Sequence, residues 1–175
     1  QEITASLKPL GTEYCDQLEA GLRGRWCDRY PNVGKQSGAF SSGTYDSDPY
    51  ILMNFQEDVI EHVFTLAHEA GHSMHTRLSA DAQPFQYAGY TIFVAEVAST
   101  FNEQLLTRHL LSKAHSPKQR AAIISREIDA IRGTIIRQTM FAEFERMSHS
   151  SVESGEPLTL EKIRTIYREL LTTYF

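Results

Sequence analysis

The string Leu66-Ala67-His68-Glu69-Ala70-Gly71-His72-Ser73-Met74-His75 sets two histidines four residues apart with a glutamate after the first, the H-E-x-x-H pattern. On a helix, at about 100° per residue, His72 lies about 40° round from His68 and one turn along. Both imidazoles can then meet one zinc ion from the same side. Glu69 falls beside such an ion without ligating it, which is where a general base for an attacking water must sit. One carboxylate can take the proton from water as it attacks a peptide carbonyl and deliver it to the leaving amine.

A catalytic zinc takes three protein ligands and keeps a position open. His75 is nearest in sequence, but it lies about 10 Å along the axis from His68 with His72 between them, so three ligands from one straight helix would crowd. Glu96, in Phe93-Val94-Ala95-Glu96-Val97-Ala98-Ser99-Thr100, is the better candidate, because it lies opposite the apolar residues of its own helix. Its other reading is a solvated face, since Thr100, Glu103 and Thr107 share that side. Ser99 and Thr100 could hydrogen-bond a ligand carboxylate, or cap a carbonyl or face water instead. His75 could contact substrate or be structural. His62, His109, His115 and His149 lack ligand-like spacing.

The elements that must position these residues are mostly helical. Val59, Val63, Leu66, Ala70, Met74 and Leu78 mark one apolar stripe on a helix of about six turns from residue 58 onward. With Leu66 at zero, the stripe spans about 0 to 120° and the histidines fall near 180 to 240°, facing a cleft rather than the core. A second helix is expected over about 91–112 with Val94, Val97, Ala98, Phe101 and Leu105 as its buried face. Pro117 opens a third that runs towards His149, weakened at Gly133, and Pro157 with Thr159 opens a fourth. Residues 1–22 suggest a short helix or two, broken at Pro9 and Gly11. The segments 37–45 and 49–55 read as two strands that pair as an antiparallel ribbon.

The chain has 175 residues, 41% of them hydrophobic and 22% charged, with a formal charge of −5. That supports one core-forming domain over residues 1–175 and gives no basic field for nucleic acid or an anionic membrane. No apolar run reaches the ~18 residues of a membrane span, and residues 1–4 lack the order of a signal peptide, so a soluble intracellular protein is expected. Cys15 and Cys27 read as reduced thiols.

Several blocks together resemble one family. Trp26-Cys27-Asp28-Arg29-Tyr30, Gly34-Lys35-Gln36-Ser37-Gly38-Ala39-Phe40-Ser41, Pro49 to Phe55, the H-E-x-G-H-x-x-H string, Tyr90 to Glu103 and Arg132 to Glu145 are similar to the oligoendopeptidase F family, relatives of thimet oligopeptidase. The resemblance implies a mainly α, zincin-type (gluzincin-like) metallopeptidase core with a small antiparallel sheet. It implies one zinc per chain, held at His68, His72 and Glu96, with Glu69 as catalytic base and short oligopeptides as substrates, and it narrows the expected compartment to the cytoplasm. Gly38, Ala39 and Phe40 would match the edge strand that pairs with substrate, or an internal ribbon strand. It also implies a longer protein, with a helical region before this part and a Tyr- and His-rich segment after it. Zinc binding is therefore expected to outlast efficient cleavage, and uncovered helix faces to favour association with the missing segments or with another copy. The competing expectation is a zinc-binding fragment that is catalytically silent and serves as an interaction module.

Overall fold

Helix α3 (Ile60–Ala82) carries the H-E-x-x-H string along its middle and ends where Gln83-Pro84 cannot continue it. The computed structural model describes residues 1–175 as two compact units, residues 1–114 and 115–175.

In the first unit, α1 (Glu2–Ser6) and α2 (Thr12–Arg23) lead into β1 (Cys27–Asp28). Strands β2 (Phe40–Ser42) and β3 (Tyr50–Leu52) follow, then α3 and α4 (Ile92–Lys113). The sheet order is β1-β3-β2, with β2 antiparallel to β3 in the register Ser41 opposite Ile51. The expected ribbon is therefore present, but shorter. Parallel pairing of β1 with β3 adds a third strand that alternation in the sequence did not signal, because two residues are too few to alternate. Strand β2 lies at the sheet edge. Gly38, with φ of +94°, takes a conformation open to few other residues just before that strand starts.

The core of this unit gathers Ile3, Leu7, Leu18 and Trp26 around Phe64, Ala67, Ala70 and Met74 of α3 and Leu106 of α4. Two expected faces are corrected here. On α3 the expected stripe holds at Val63, Leu66, Ala70 and Met74 and is joined by Phe64 and Ala67, while at its ends Leu78 is exposed and Val59 precedes the helix. On α4 the expected core face is turned outward: Val97 and Phe101 are 62% and 52% exposed, and the buried residues are Ser99, Asn102, Leu106 and Thr107. The packed side of α4 is mixed, with Ser99 and Asn102 beside Leu106, and Leu105 is the one member of the expected face that packs on the core.

Small residues permit this. A Cβ built on Gly71 of α3 would lie 2.6 Å from Ser99 Cα and 2.8 Å from the Ala98 carbonyl oxygen, so the two backbones meet where only glycine fits. Asn102 crosses the same interface, donating from Nδ2 to the Ala67 carbonyl at 3.2 Å.

The second unit is helical. α5 (Pro117–Ile131) starts at a capping box of Ser116 and Gln119, and a π-helical turn (Arg132–Ile136) at Gly133 joins it to α6 (Arg137–Glu153). The chain thus stays helical through Gly133, as expected. α7 (Leu160–Tyr174) is capped by Thr159 and packs Ile166 and Leu170 on Met140 of α6. Ile124, Ile128 and Ile131 of α5 lie exposed. No helix is long and apolar enough to cross a membrane.

Candidate metal centre

The α3–α4 packing brings together residues 24 or more apart in sequence. His68 Nε2 and His72 Nε2 lie 3.1 Å apart, and Glu96 Oε2 reaches to 3.3 Å from the first and 3.6 Å from the second. The two rings stand edge to face, 84° apart, with their Nε2 atoms converging. His68, His72 and Glu96 are one cluster with metal-ligand composition.

Each ligand atom is aimed by a further bond. His68 Nδ1 is 2.7 Å from Glu103 Oε1, which commits that nitrogen to its proton and leaves Nε2 as a lone pair. His72 bonds the Ala95 backbone carbonyl. Ser99 Oγ donates to Glu96 Oε2 at 2.8 Å, while Thr100 Oγ1 donates to the Glu96 carbonyl, so of the two expected supports only Ser99 touches the carboxylate.

The donor set fits a zinc ion. Three donors at ~2.0–2.2 Å from a tetrahedral zinc lie ~3.3–3.5 Å from one another, close to the separations seen here. With Glu103 at its Nδ1, His68 turns Nε2 toward the Glu96 oxygen at 3.3 Å, a pair that either a proton on the ring or a cation between the two atoms satisfies.

Glu69 is buried, on the side of α3 that faces β2. Its carboxylate accepts from the Ser41 backbone N–H, and Ser41 Oγ is 2.8 Å from Ser73 Oγ, which pins the edge strand to the helix. Burial lifts the Glu69 carboxyl above its ordinary value, against the opposing pull of His68. For His68, burial works downward, but the carboxylates of Glu103, Glu69 and Glu96 together outweigh it and the net shift is upward. His72 is pushed down by burial and by His68.

The other candidates scatter. Phe40 lies in β2, but Gly38 and Ala39 precede it, and Asn54 Nδ2 donates to the Gly38 carbonyl at 3.1 Å. His75 is not part of the His68, His72 and Glu96 cluster: its ring stacks on Tyr90 at 3.7 Å, and Nδ1 is buried without a partner. Sequence reasoning missed Glu103 as the partner of His68, although it follows Glu96 by seven residues and so shares its helix face. It also gave no role to Gly71, which had a signal: a glycine inside a long helix costs about 1 kcal/mol relative to alanine and calls for a packing reason.

A paired-histidine helix, a carboxylate from the next helix and an edge strand beside the intervening glutamate thus sit together in a mainly helical unit with a small sheet. The chain belongs to peptidase family M3, whose model matches residues 7–175. It is 50% identical over 169 residues to the oligopeptidase PepF of Bacillus subtilis, covering 97% of this chain and 25% of that protein. It is 46% identical over 176 residues to an oligoendopeptidase F homologue of Borreliella burgdorferi, covering 100% of this chain and 30% of that one. A crystal structure of a candidate peptidase from Chlamydophila abortus superposes with a TM-score of 0.80 at 45% identity, over 99% of this chain and 29% of that one. The chain thus spans between a quarter and a third of the length of these relatives.

Proposed function

We propose that these 175 residues form a single zinc-binding catalytic domain of a longer oligopeptidase, which hydrolyses short peptides. The observation that carries the reading is the convergence of His68 Nε2, His72 Nε2 and Glu96 Oε2 next to a buried Glu69 that faces an edge strand. His68, His72 and Glu96 hold the zinc. When bound, the ion supplies Lewis acidity, which lowers the pKa of a water and polarises a carbonyl.

The chain's own residues do the rest. Glu69 takes a proton from the attacking water and returns it to the leaving amine, and its raised affinity for protons, set by burial, suits it to both roles. Glu103 fixes the His68 tautomer, and Ser99 steadies the Glu96 carboxylate. The edge of β2 offers main-chain groups to an extended peptide, with Gly38 and Ala39 leading into Phe40 at its start.

The test is metal content and hydrolysis of a quenched fluorescent oligopeptide by the wild type and Glu69→Gln side by side. One zinc in each, with cleavage lowered by about 10²–10⁴ in the variant, is the expected result. Retained cleavage refutes the assigned base, and absence of zinc refutes the ligand set. Zinc in both without cleavage in either assigns completion of the site to the rest of the longer protein.

A further inference from the structure

Beyond the C-terminal end of β2 lies a cleft of about 430 Å³, lined by Ser41, Thr44, Tyr45, Thr76, Phe85 and Tyr90 among others. None of the residues around it is Asp, Glu, Lys or Arg, in a chain where 22% of residues are one of these. Its aromatic walls are fixed in place. Tyr45 meets Phe85 edge to face at 5.5 Å and donates from its hydroxyl to the Gln83 carbonyl at 3.0 Å. The Tyr90 hydroxyl is 2.7 Å from Thr76 Oγ1, and the ring is stacked on His75. Phe85, part of the lining, is 70% exposed, which is a large apolar surface to leave in water.

Both walls of the cleft are continuous with the candidate active site. Ser41 lines the cleft and gives its N–H to Glu69. Tyr90 lines the other side and leans on His75, one turn of α3 after His72. A peptide lying along β2 sends alternate side chains to the same face, so a residue near the bond beside Glu69 reaches this cleft. Rings already held edge-on leave faces and edges for another ring, and the uncharged lining would leave a charged side chain without a partner.

We propose that this cleft is a side-chain subsite that accepts an uncharged aromatic residue of a peptide bound along β2. The proposal rests on the peptidase reading above and adds to it a preference in the substrate.

The test uses the zinc-loaded chain carrying Glu69→Gln and fluorescent nonapeptides in which Phe, Ala or Glu is moved through each position. At one position Phe should bind about tenfold tighter than Ala, and Glu more weakly than Ala. Adding Phe85→Ala, or Ala80→Trp to fill the cleft from α3, should bring Phe and Ala within about twofold while affinity for the Ala peptide holds. A Phe preference that survives both changes, one spread over all positions, or no binding of any peptide overturns the subsite. Turnover by the wild-type chain separates the two readings. A preference without cleavage upholds the subsite and counts against peptidase activity in this chain, and cleavage without a preference does the reverse.

Discussion

Two helix pairs in this molecule are joined by opposite chemistry. α6 and α7 meet through Met140, Phe144, Ile166 and Leu170, whereas α3 and α4 meet across Ser99, Asn102, Glu96 and Glu103, with two histidines between them. The first pair is held by apolar burial. The second is held by close backbone approach at Gly71, by hydrogen bonds and by Leu106 packed among apolar residues of α3, and it gives much of its interface to groups that can grip a cation. Where the interface presents lone pairs it is polar, and leucine enters it only later along α4, at Leu106.

The largest effect on stability should therefore come from the apolar pair. Leu170→Ala removes a buried side chain and should cost about 2–5 kcal/mol in urea unfolding, with zinc content unchanged. Loss of less than ~1 kcal/mol would show that α7 contributes little by burial.

Gly71→Ala tests the other pair. The added methyl meets backbone, not a flexible tip, so α4 has to move off and overpacking costs about 1–3 kcal/mol. Alanine's better helix propensity returns only about 1 kcal/mol, so the net change should be destabilising. Since Glu96 and Ser99 lie on the displaced stretch, zinc affinity by chelator competition should fall more than tenfold. A variant that is stable and binds zinc normally would break the claim that close approach sets the site.

Glu103→Gln keeps the shape and removes the charge that holds the His68 proton. Zinc affinity should drop about 10- to 100-fold, with little change in the melting temperature of the metal-free chain. Asn102→Ala, one residue earlier, is the contrast: it loses buried bonds to Ala67 and Tyr14, costs about 1–3 kcal/mol of stability, and touches no ligand. If both changes weaken zinc equally, Glu103 acts through packing alone.

The same contrast explains what could be read in the sequence. His68, Glu69 and His72 lie on one helix, where spacing is geometry, and the helix starts at Pro117 and Thr159 follow local capping rules. The α6–α7 contact also obeys the apolar pattern of Ile166 and Leu170. On α4 the pattern misleads, because Val97 and Phe101 are exposed and the packed face mixes Ser99 and Asn102 with Leu106. Glu96 was within reach as a carboxylate lacking a reason to be apolar-opposed. Its meeting with His68 and His72 depends on Gly71, a contact between helices that no period within one helix encodes. β1 was too short to show alternation, and its pairing depends on where Trp26 is buried.

The smallest effect lies at the other end of α4. Glu2 of α1 accepts from Lys113 Nζ at 2.9 Å and from His109 Nε2 at 2.8 Å, near the C-terminus of α4. The Lys113 bond first, and the His109 bond second, hold the Glu2 carboxyl below its ordinary value of 4.5. A carboxyl lowered in the folded state adds stability above its unfolded pKa and loses it as the pH falls through the folded one. Glu2 is largely exposed, so the contribution should stay below about 1 kcal/mol and shrink in high salt. The melting temperature of Glu2→Gln should lie slightly below wild type at pH 7, with the gap closing near pH 3 and in about 1 M salt. A gap that persists in acid would assign the contact to packing, and α4 would then be anchored at this end as α6 and α7 are, by burial instead of charge.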